Sequence, residues 1–261
     1  MLNLNKILDK VTDVVVRTGD HIYRESNRKK LISYKGAVNL VTQFDRISQI
    51  LIVNYLKKNF PDFGILSEEN VNHYTNSPIK WLLDPLDGTT NFAHNLPIWA
   101  ISLGLEVEGV IVLGLVYDPT RKELFTAIKG KGALLNGKKI RVSDTRKLDK
   151  SLLVTGFPYD IRESKENNLE YFTRFCLCAQ AVRRLGSAAL DLCYTACGRF
   201  DGYWEIKLSP WDQAAGSLIL LEAGGMVTDF KGKPFNIYGR EVLGTNGYIH
   251  KQMMAVLNRK D

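Results

Sequence analysis

Asp84-Pro85-Leu86-Asp87-Gly88-Thr89-Thr90-Asn91-Phe92 follows directly on the apolar run Trp81-Leu82-Leu83. A short buried strand therefore delivers Asp84 to its carboxyl end, with Asp87 three residues later. Two carboxylates this close in a turn repel each other unless a cation lies between them. Magnesium, a hard ion, prefers such oxygen ligands. Gly88 lets the backbone approach closely. The N–H groups after it, with the Thr89 hydroxyl, can hold phosphate oxygens as a helix start does. A capping turn is the plainer reading of Asp-x-x-Asp-Gly alone, and the full nine-residue string argues against it.

Leu4, Ile7, Leu8, Val11 and Val15 repeat at helical spacing, so the chain opens with an amphipathic helix. A second helix follows Thr42, with an expected apolar face of Ile47, Ile50, Leu51 and Tyr55 and Pro61 past its end. Phe63 to Leu66 and Trp81 to Leu83 read as buried strands. Ile98 to Tyr117 reads as a hairpin turning at Glu108-Gly109, and Leu124 to Ile128 and Ile140 to Val142 as further strands. Beyond them come a strand at Leu152 to Thr155 and a helix at Leu169 to Ala179. A helix at Ser187 to Ala196 has Ser187 as cap and Gly198 as stop. Phe200 to Ile206 is a strand. Trp211 to Ala223 is a helix with Ser209 as cap, Pro210 at its first position and Gly224-Gly225 as its stop. With no linker, repeat or low-complexity segment, the halves are expected to pack as one layered unit.

The chain has 261 residues, 45% hydrophobic and 24% charged, the balance of a soluble globular protein with room for a sizeable core. No apolar run is long enough to span a bilayer, and Met1 to Lys6 lacks the pattern of a signal peptide, so the expected location is the cytosol. A net charge of +7 favours anionic partners. The cations are scattered, and clusters such as Arg28-Lys29-Lys30 and Lys138-Lys139 are too short to mark a nucleic-acid site. Cys176, Cys178, Cys193 and Cys197 could be imagined around zinc, but residues two apart on a helix diverge, and reduced, partly buried thiols are the expected state.

The string from Asp84 resembles the first signature of the inositol monophosphatase family. Trp211-Asp212-Gln213-Ala214-Ala215-Gly216, running on to Glu222-Ala223-Gly224-Gly225, resembles its second. Ser67-Glu68-Glu69, Arg183-Arg184-Leu185-Gly186-Ser187-Ala188-Ala189 and Glu205 also match family segments in order and spacing, over roughly Asn39 to Gly247. The resemblance implies an α+β fold, a layered α-β-α-β-α sandwich of the sugar phosphatase type. It also implies one catalytic unit over 1–261, with a metal-binding half to about 145 and a substrate half from about 146. The implied activity is Mg2+-dependent hydrolysis of phosphate monoesters of inositol or similar small polyols and sugars. A homodimer and sensitivity to lithium are implied with it.

At matching positions, Glu68, Asp84 and the Leu86 carbonyl are expected to bind a first magnesium, and Asp84, Asp87 and Asp212 a second. Glu68 is also expected to help hold a third ion, with Glu69 the alternative should the alignment slip by one. Asn39 stands where many relatives carry Asp, which removes a charge from that loop. Asp45 and Thr89 are expected to orient and deprotonate the attacking water. Gly88 and Thr89 are expected to bind phosphate, and Asp87, the Ala188 N–H, Glu205 and Asp212 the ring hydroxyls. The plainer readings are a capping box of Thr42 with Asp45, a helix-dipole aspartate at 212 and a surface acid at 205. His94 reads as a loop residue, since metal-bound water needs no histidine base.

The implied mechanism is in-line attack by metal-activated water between paired ions, without a phosphoenzyme. Haloacid dehalogenase phosphatases space their aspartates by two, whereas here the spacing is three. Cys178 and Arg184 have the Cys-x5-Arg spacing of cysteine phosphatases, but no glycine lies between them. The alternatives within the superfamily are fructose-1,6-bisphosphatase and histidinol-phosphate or nucleotide phosphatases. The alternative of another class is an RNA- or transcription-associated binding protein. Lys207, two residues beyond Glu205, would share its face on an extended strand, where Lys207, Arg183 or Arg184 could meet a second phosphate. Otherwise Lys207 is solvated and the arginines pair with acids such as Asp191.

Overall fold

The computed structural model describes residues 2–26, 30–34, 40–69, 72–73 and 76–259. Asn39, Arg28 and Lys29 lie outside the described residues. The chain stacks five layers in the order helix, sheet, helix, sheet, helix. This is the expected layered mixed fold.

The first layer is α1 (Leu4–Glu25) and α2 (Gln43–Asn59), with the small antiparallel pair β1 (Ile32–Tyr34) and β2 (Leu40–Thr42) between them in the chain. The second is an eight-stranded sheet. It contains β3 (Gly64–Ser67), β4 (Asn72–His73), β5 (Ile79–Asp87), β6 (Ala100–Val107), β7 (Val110–Asp118), β8 (Glu123–Ile128), β9 (Ala133–Leu135) and β10 (Lys138–Lys139). Its spatial order is β10-β9-β8-β7-β6-β5-β3-β4. Between β5 and β6 lies the short helix α3 (Thr89–Ala93). The fourth layer is a five-stranded sheet of β11 (Leu152–Thr155), β12 (Ala181–Arg183), β13 (Gly202–Ile206), β14 (Met226–Thr228) and β15 (Glu241–Thr245). Between the sheets run α5 (Ala188–Ala196) and α6 (Pro210–Glu222), and outside the second sheet lie α4 (Leu169–Cys176) and α7 (His250–Leu257).

Each layer buries its apolar side chains against the next. Ile7, Val11, Val15, Ile52 and Leu56 of the outer helices pack on Trp81, Leu103 and Leu113. In the middle, Leu190, Leu192, Ala215 and Ile219 fill the space between Val116 and Phe125 of one sheet and Val154, Tyr203 and Val242 of the other. This core crosses both halves of the chain. Helix α6 lies so close on the first sheet that a Cβ at Gly114 would stand 2.7 Å from the Ala215 carbonyl oxygen. Phe175, Met253 and Leu257 close the far side over Leu153, Trp204 and Leu243.

The hairpin turns at Glu108-Gly109, both with positive φ (50° and 80°), as a tight two-residue turn requires. Ser187 caps α5, Pro210 opens α6, and Gly198 and Gly224 end these helices with φ of 77° and 87°. Three expectations are corrected. The strand expected at Ile140–Val142 is absent, because pairing ends at Lys139 and the Val142 N–H turns to the Ala223 carbonyl at the end of α6. Helix α4 stops at Cys176, short of Ala179. On α2, Ile50 and Leu51 are 58% and 43% exposed, while Asp45, Ser48, Gln49 and Ile52 are buried. Those four sit at i, i+3, i+4 and i+7, so the true inner face is helical in period but polar over its first turns.

His250 is buried between two strands. Thr228 donates its hydroxyl hydrogen to the Asp229 carbonyl, so Nε2–H donates to Thr228 Oγ1 and Nδ1 accepts from Thr245, each at 2.9 Å. Burial lowers its pKa. The neutral ring is therefore favoured by folding. That contribution is fully present above the unfolded value of about 6.5 and is lost as pH falls through the lower folded value. His250→Gln should flatten the fall in Tm between pH 7.5 and 5 relative to the unmutated protein. An unchanged difference across that range would refute the assignment.

Candidate active site

The first signature gathers its carboxylates by breaking the regularity of β5. Asp84 pairs with Ser102 and Asp87 with Ala100, so three steps on β5 match two on β6, and a bulge lies between them. In an unbroken strand residues three apart point to opposite faces; the bulge brings Asp84 and Asp87 to one face. The Leu86 N–H donates to Asp84 Oδ1 at 2.9 Å, and Ser48 of α2 donates to the Pro85 carbonyl at 2.6 Å, fixing the bulge from behind.

Glu68 arrives through parallel pairing. Ser67 stands opposite Leu83, and the Glu68 N–H donates to the Leu83 carbonyl, so the ends of β3 and β5 coincide and Glu68 emerges beside Asp84. Gln49 accepts from the Ser67 hydroxyl at 2.6 Å and donates to the Glu69 carbonyl at 3.0 Å, fastening this turn to α2. From the opposite layer, Asp212 sits in the first turn of α6 and accepts from the Ser209 N–H at 2.7 Å, a reciprocal cap.

Gly88 has φ 95°, and a Cβ there would lie 2.8 Å from the Ile98 carbonyl oxygen; only glycine fits. The chain then enters α3. The Thr89 hydroxyl lies 2.8 Å from Asp45 Oδ1 and 3.0 Å from the Leu86 carbonyl. Asp45 is buried and accepts at Oδ2 from the N–H and the hydroxyl of Thr42, at 2.7 and 2.6 Å. The capping box and the contact to Thr89 therefore coexist on one side chain. Burial raises the Asp45 pKa against the opposing hydrogen bonds from Thr42 and Thr89.

Asp87 joins the two halves of the chain. Its Oδ2 accepts from the Ser187 hydroxyl at 2.6 Å and the Ala189 N–H at 2.8 Å, and the Ala188 N–H also favours its ionised form. Burial outweighs these bonds and moves its pKa up to about 6. Glu205, on β13, accepts from the Tyr203 hydroxyl at 2.8 Å, and burial lifts it to about 7.

Glu68, Asp84, Leu86, Asp87, Gly88, Thr89, Ala188, Glu205 and Asp212 all line one cavity of about 390 Å³. Of the expected site residues only Asp45 stands behind the wall, one hydrogen bond away through Thr89. Asp84 is pushed well up by burial and then by Glu68, Asp87 and Asp212; Asp212 is pushed up by burial, Glu68 and Asp87. No cation figures among the charges acting on these two groups. Such an all-oxygen, mutually repelling set is what a hard divalent ion would relieve. Among the described residues no group of three or more His, Cys, Asp or Glu side chains stands ready to hold a metal ion as it is. The four cysteines are free thiols.

Several residues carry no sequence expectation of a role at this site. Ser48 and Gln49 hold it from outside, Ser187 lines the cavity beside Asp87 while capping α5, and Asn91 donates to the carbonyls of Ile98 and Leu185, tying the first signature to the approach to α5. Gly156 passes so close to Glu205 that a Cβ there would lie 2.1 Å from Oε1. Tyr159, more than half exposed, lines the rim of the cavity. Lys207 departs from expectation. The strand ends at Ile206, Lys207 takes φ 60°, and its ammonium bonds Asp160 at 2.6 Å and Ser164 at 2.8 Å. It is neither solvated nor free for a second phosphate. The expected pairing of Asp191 with an arginine is also not formed: both carboxylate oxygens are buried without a hydrogen-bond partner. A neighbouring cavity of about 500 Å³, beyond Ile206 and Lys207, holds charges of both signs and lies away from the carboxylate set.

With this geometry in view, comparison with known proteins is specific. The model of the inositol monophosphatase family matches residues 4–260. The chain is 43% identical over 257 residues to an inositol-1-monophosphatase of Synechocystis sp., covering 98% of this chain and 90% of that protein. It is 42% identical over 225 residues to Nus factor SuhB of Escherichia coli, covering 85% and 84%. The solved structure of an inositol monophosphatase from Anabaena superposes with a TM-score of 0.90 at 42% identity, covering 98% of this chain and 96% of that one.

Proposed function

The chain belongs to the inositol monophosphatase family, as a phosphoric monoester hydrolase, and from that premise we propose that it hydrolyses monophosphates of inositol or similar small polyols with magnesium. The observation that carries this reading is the convergence of Glu68, Asp84, Asp87 and Asp212 in one cavity beside the starts of α3 and α5. Glu68, Asp84 and the Leu86 carbonyl would hold one ion, and Asp84, Asp87 and Asp212 a second. Bound magnesium would supply Lewis acidity toward the phosphoryl group, the nucleophile and the leaving oxygen.

The protein's own groups do the rest. Gly88 and Thr89 present N–H groups to the phosphoryl oxygens. Asp45 takes the hydrogen bond of the Thr89 hydroxyl, which leaves the lone pairs of Thr89 Oγ1 facing the cavity to receive a proton donor such as the attacking water. Glu205, Asp212, Asp87 and the Ala188 N–H bind hydroxyls of the alcohol. We read residues 1–261 as one catalytic unit, with the metal half before about residue 145 and the substrate half after it. Cytosolic residence, a homodimer and inhibition by lithium come with the family reading. Among the described residues no helix is long and apolar enough to cross a membrane.

The test is a panel of inositol 1-phosphate, glycerol phosphate, histidinol phosphate, fructose 1,6-bisphosphate and adenosine nucleotides, with magnesium and with added lithium. Inositol 1-phosphate should give the highest kcat/KM, and lithium should inhibit at limiting magnesium. A nucleotide or bisphosphate preferred by tenfold would replace the substrate reading. A second reading, association with RNA, is favoured by the likeness to Nus factor SuhB and by the net charge of +7. Salt-dependent RNA binding retained by Asp212→Asn would support it.

Gly156 supplies a sharper check on the hydroxyl-binding wall. Gly156→Ala should displace the Glu205 carboxylate without disturbing the metal ligands. KM for inositol 1-phosphate should rise about ten- to a hundredfold, the value of a charge-assisted hydrogen bond. An unchanged KM would remove Glu205 from the substrate wall.

A further inference from the structure

Asp191 is a buried acid of the cavity that the metal and phosphate readings leave without a role. It lies in the first turn of α5, is 1% exposed, lines the cavity, and leaves both carboxylate oxygens without a hydrogen-bond partner. A buried carboxylate with no partner destabilises a fold by several kcal/mol or is forced to neutralise. Burial, then Glu205 and Asp87, raise its pKa, and Arg184 opposes them without bonding it. Leucine would fill such a place at less cost, so a carboxylate here points to a ligand that completes it.

The neighbours decide which ligand. The phosphoryl end of the cavity lies at Gly88 and Thr89, on the first sheet's side. Asp191 belongs to the opposite wall with Glu205, where Tyr203 already occupies one oxygen of Glu205. Lys207, the cation that could have made this wall attractive to a second phosphate, is held by Asp160 and Ser164. That leaves Arg184 against Asp191 and Glu205, two acids that neither proposed magnesium position would neutralise, a wall that disfavours phosphate and accepts from hydroxyls.

We propose that Asp191 is a specificity-determining substrate residue whose carboxylate accepts hydrogen bonds from the alcohol's hydroxyls and repels a second phosphate. The proposal rests on the polyol-phosphatase reading above and adds a residue and a selection rule to it. Hydroxyl-rich monophosphates are favoured because hydroxyls donating to the two oxygens hold the carboxylate in its ionised form, and the charge so held disfavours bisphosphates.

The test compares the unmutated protein with Asp191→Asn and Asp191→Leu on inositol 1-phosphate, 4-nitrophenyl phosphate and fructose 1,6-bisphosphate, all with saturating magnesium. In the variants KM for inositol 1-phosphate should rise about tenfold, the loss of one or two hydrogen bonds to a charged acceptor. KM for 4-nitrophenyl phosphate, which offers no hydroxyl, should stay within about twofold, and KM for the bisphosphate should fall. A merely structural aspartate would move all three together. Equal shifts on all three substrates, or none, would overturn the proposal. Melting without substrate checks the fold, and Tm should be unchanged or higher in Asp191→Asn, since an unpartnered charge is gone. A clearly lower Tm would show that Asp191 serves the fold and would also overturn the proposal. Failure of the unmutated protein on inositol 1-phosphate would instead sink the substrate reading, and Asp191 would then be judged on the ratio of hydroxyl-rich to hydroxyl-poor monoesters.

Discussion

Asp84→Asn and Asp212→Asn should each lower kcat/KM with magnesium by at least about a thousandfold while the protein stays folded. Loss of one preorganised electrostatic contact typically costs that much, and a metal ligand carries more. The fold should survive because amides can keep the structural bonds. At 84 the side-chain oxygen can still accept from the Leu86 N–H that shapes the bulge, and at 212 it can still accept from the Ser209 N–H that caps α6. What each amide cannot do is supply the charge. Asp84 is pushed well up by burial and by Glu68, Asp87 and Asp212. Removing its charge in the metal-free protein therefore relieves repulsion, and Tm in EDTA should be equal or higher than without the mutation. With magnesium the order should reverse, because the unmutated protein gains binding energy that the variant lacks. Two melting curves and one rate thus separate a ligand from a structural aspartate. Near-normal turnover in either variant would remove the proposed metal site, whatever the melting data.

The parts of the fold that were legible in the sequence are those where one local rule suffices. The hairpin turning at Glu108-Gly109, the Ser187 cap with Gly198 stop, and the Pro210 start with Gly224 stop each follow from a few adjacent residues. The gathering of Asp84, Asp87, Asp212, Glu205 and Ala188 was legible from signature strings, yet nothing local says why it works. Three-residue spacing places Asp84 and Asp87 on one face only through a bulge set by pairing with β6, a non-local fact. Helix α2 misleads for a related reason. Its buried first turns are Asp45, Ser48 and Gln49, recruited to hold Thr89, Pro85 and Ser67, so an apolar stripe had to be sought elsewhere and fell on exposed Ile50 and Leu51. Lys207 was placed beside Glu205 by strand alternation, which its positive φ breaks one residue too early. In each case a residue serving the site departs from the period of its element, the pattern expected where function overrides local preference.

The same logic makes the Asp45–Thr89 pair the sharpest test of catalysis apart from the metal ligands. The Thr89 hydroxyl has one hydrogen and two acceptors within reach, Asp45 Oδ1 at 2.8 Å and the Leu86 carbonyl at 3.0 Å. An ionised Asp45 can only accept, so it draws that hydrogen inward and leaves the lone pairs of Thr89 facing the cavity. In Asp45→Asn the amide oxygen must face Thr42, whose N–H and hydroxyl both donate to Oδ2. The amide NH2 then faces Thr89, and a donor meets the hydroxyl where an acceptor stood. Thr89 must turn its hydrogen to the Leu86 carbonyl and spend a lone pair on the amide. The polarity that Thr89 would present to an attacking water is thereby reversed, although the capping box can persist. Asp45→Asn should therefore cut kcat by about a hundred- to ten-thousandfold, the usual range for a positioned acid–base group, with KM within a few-fold. Thr89→Ser keeps the hydroxyl and should retain most of the activity, whereas Thr89→Val, of the same shape without it, should fall as far as Asp45→Asn. Because Asp45 and Thr89 would act as one unit, the double variant Asp45→Asn/Thr89→Val should be little worse than either single one. Full additivity of the two losses would mean that the residues act separately and that the pair, as an orienting device, does not exist.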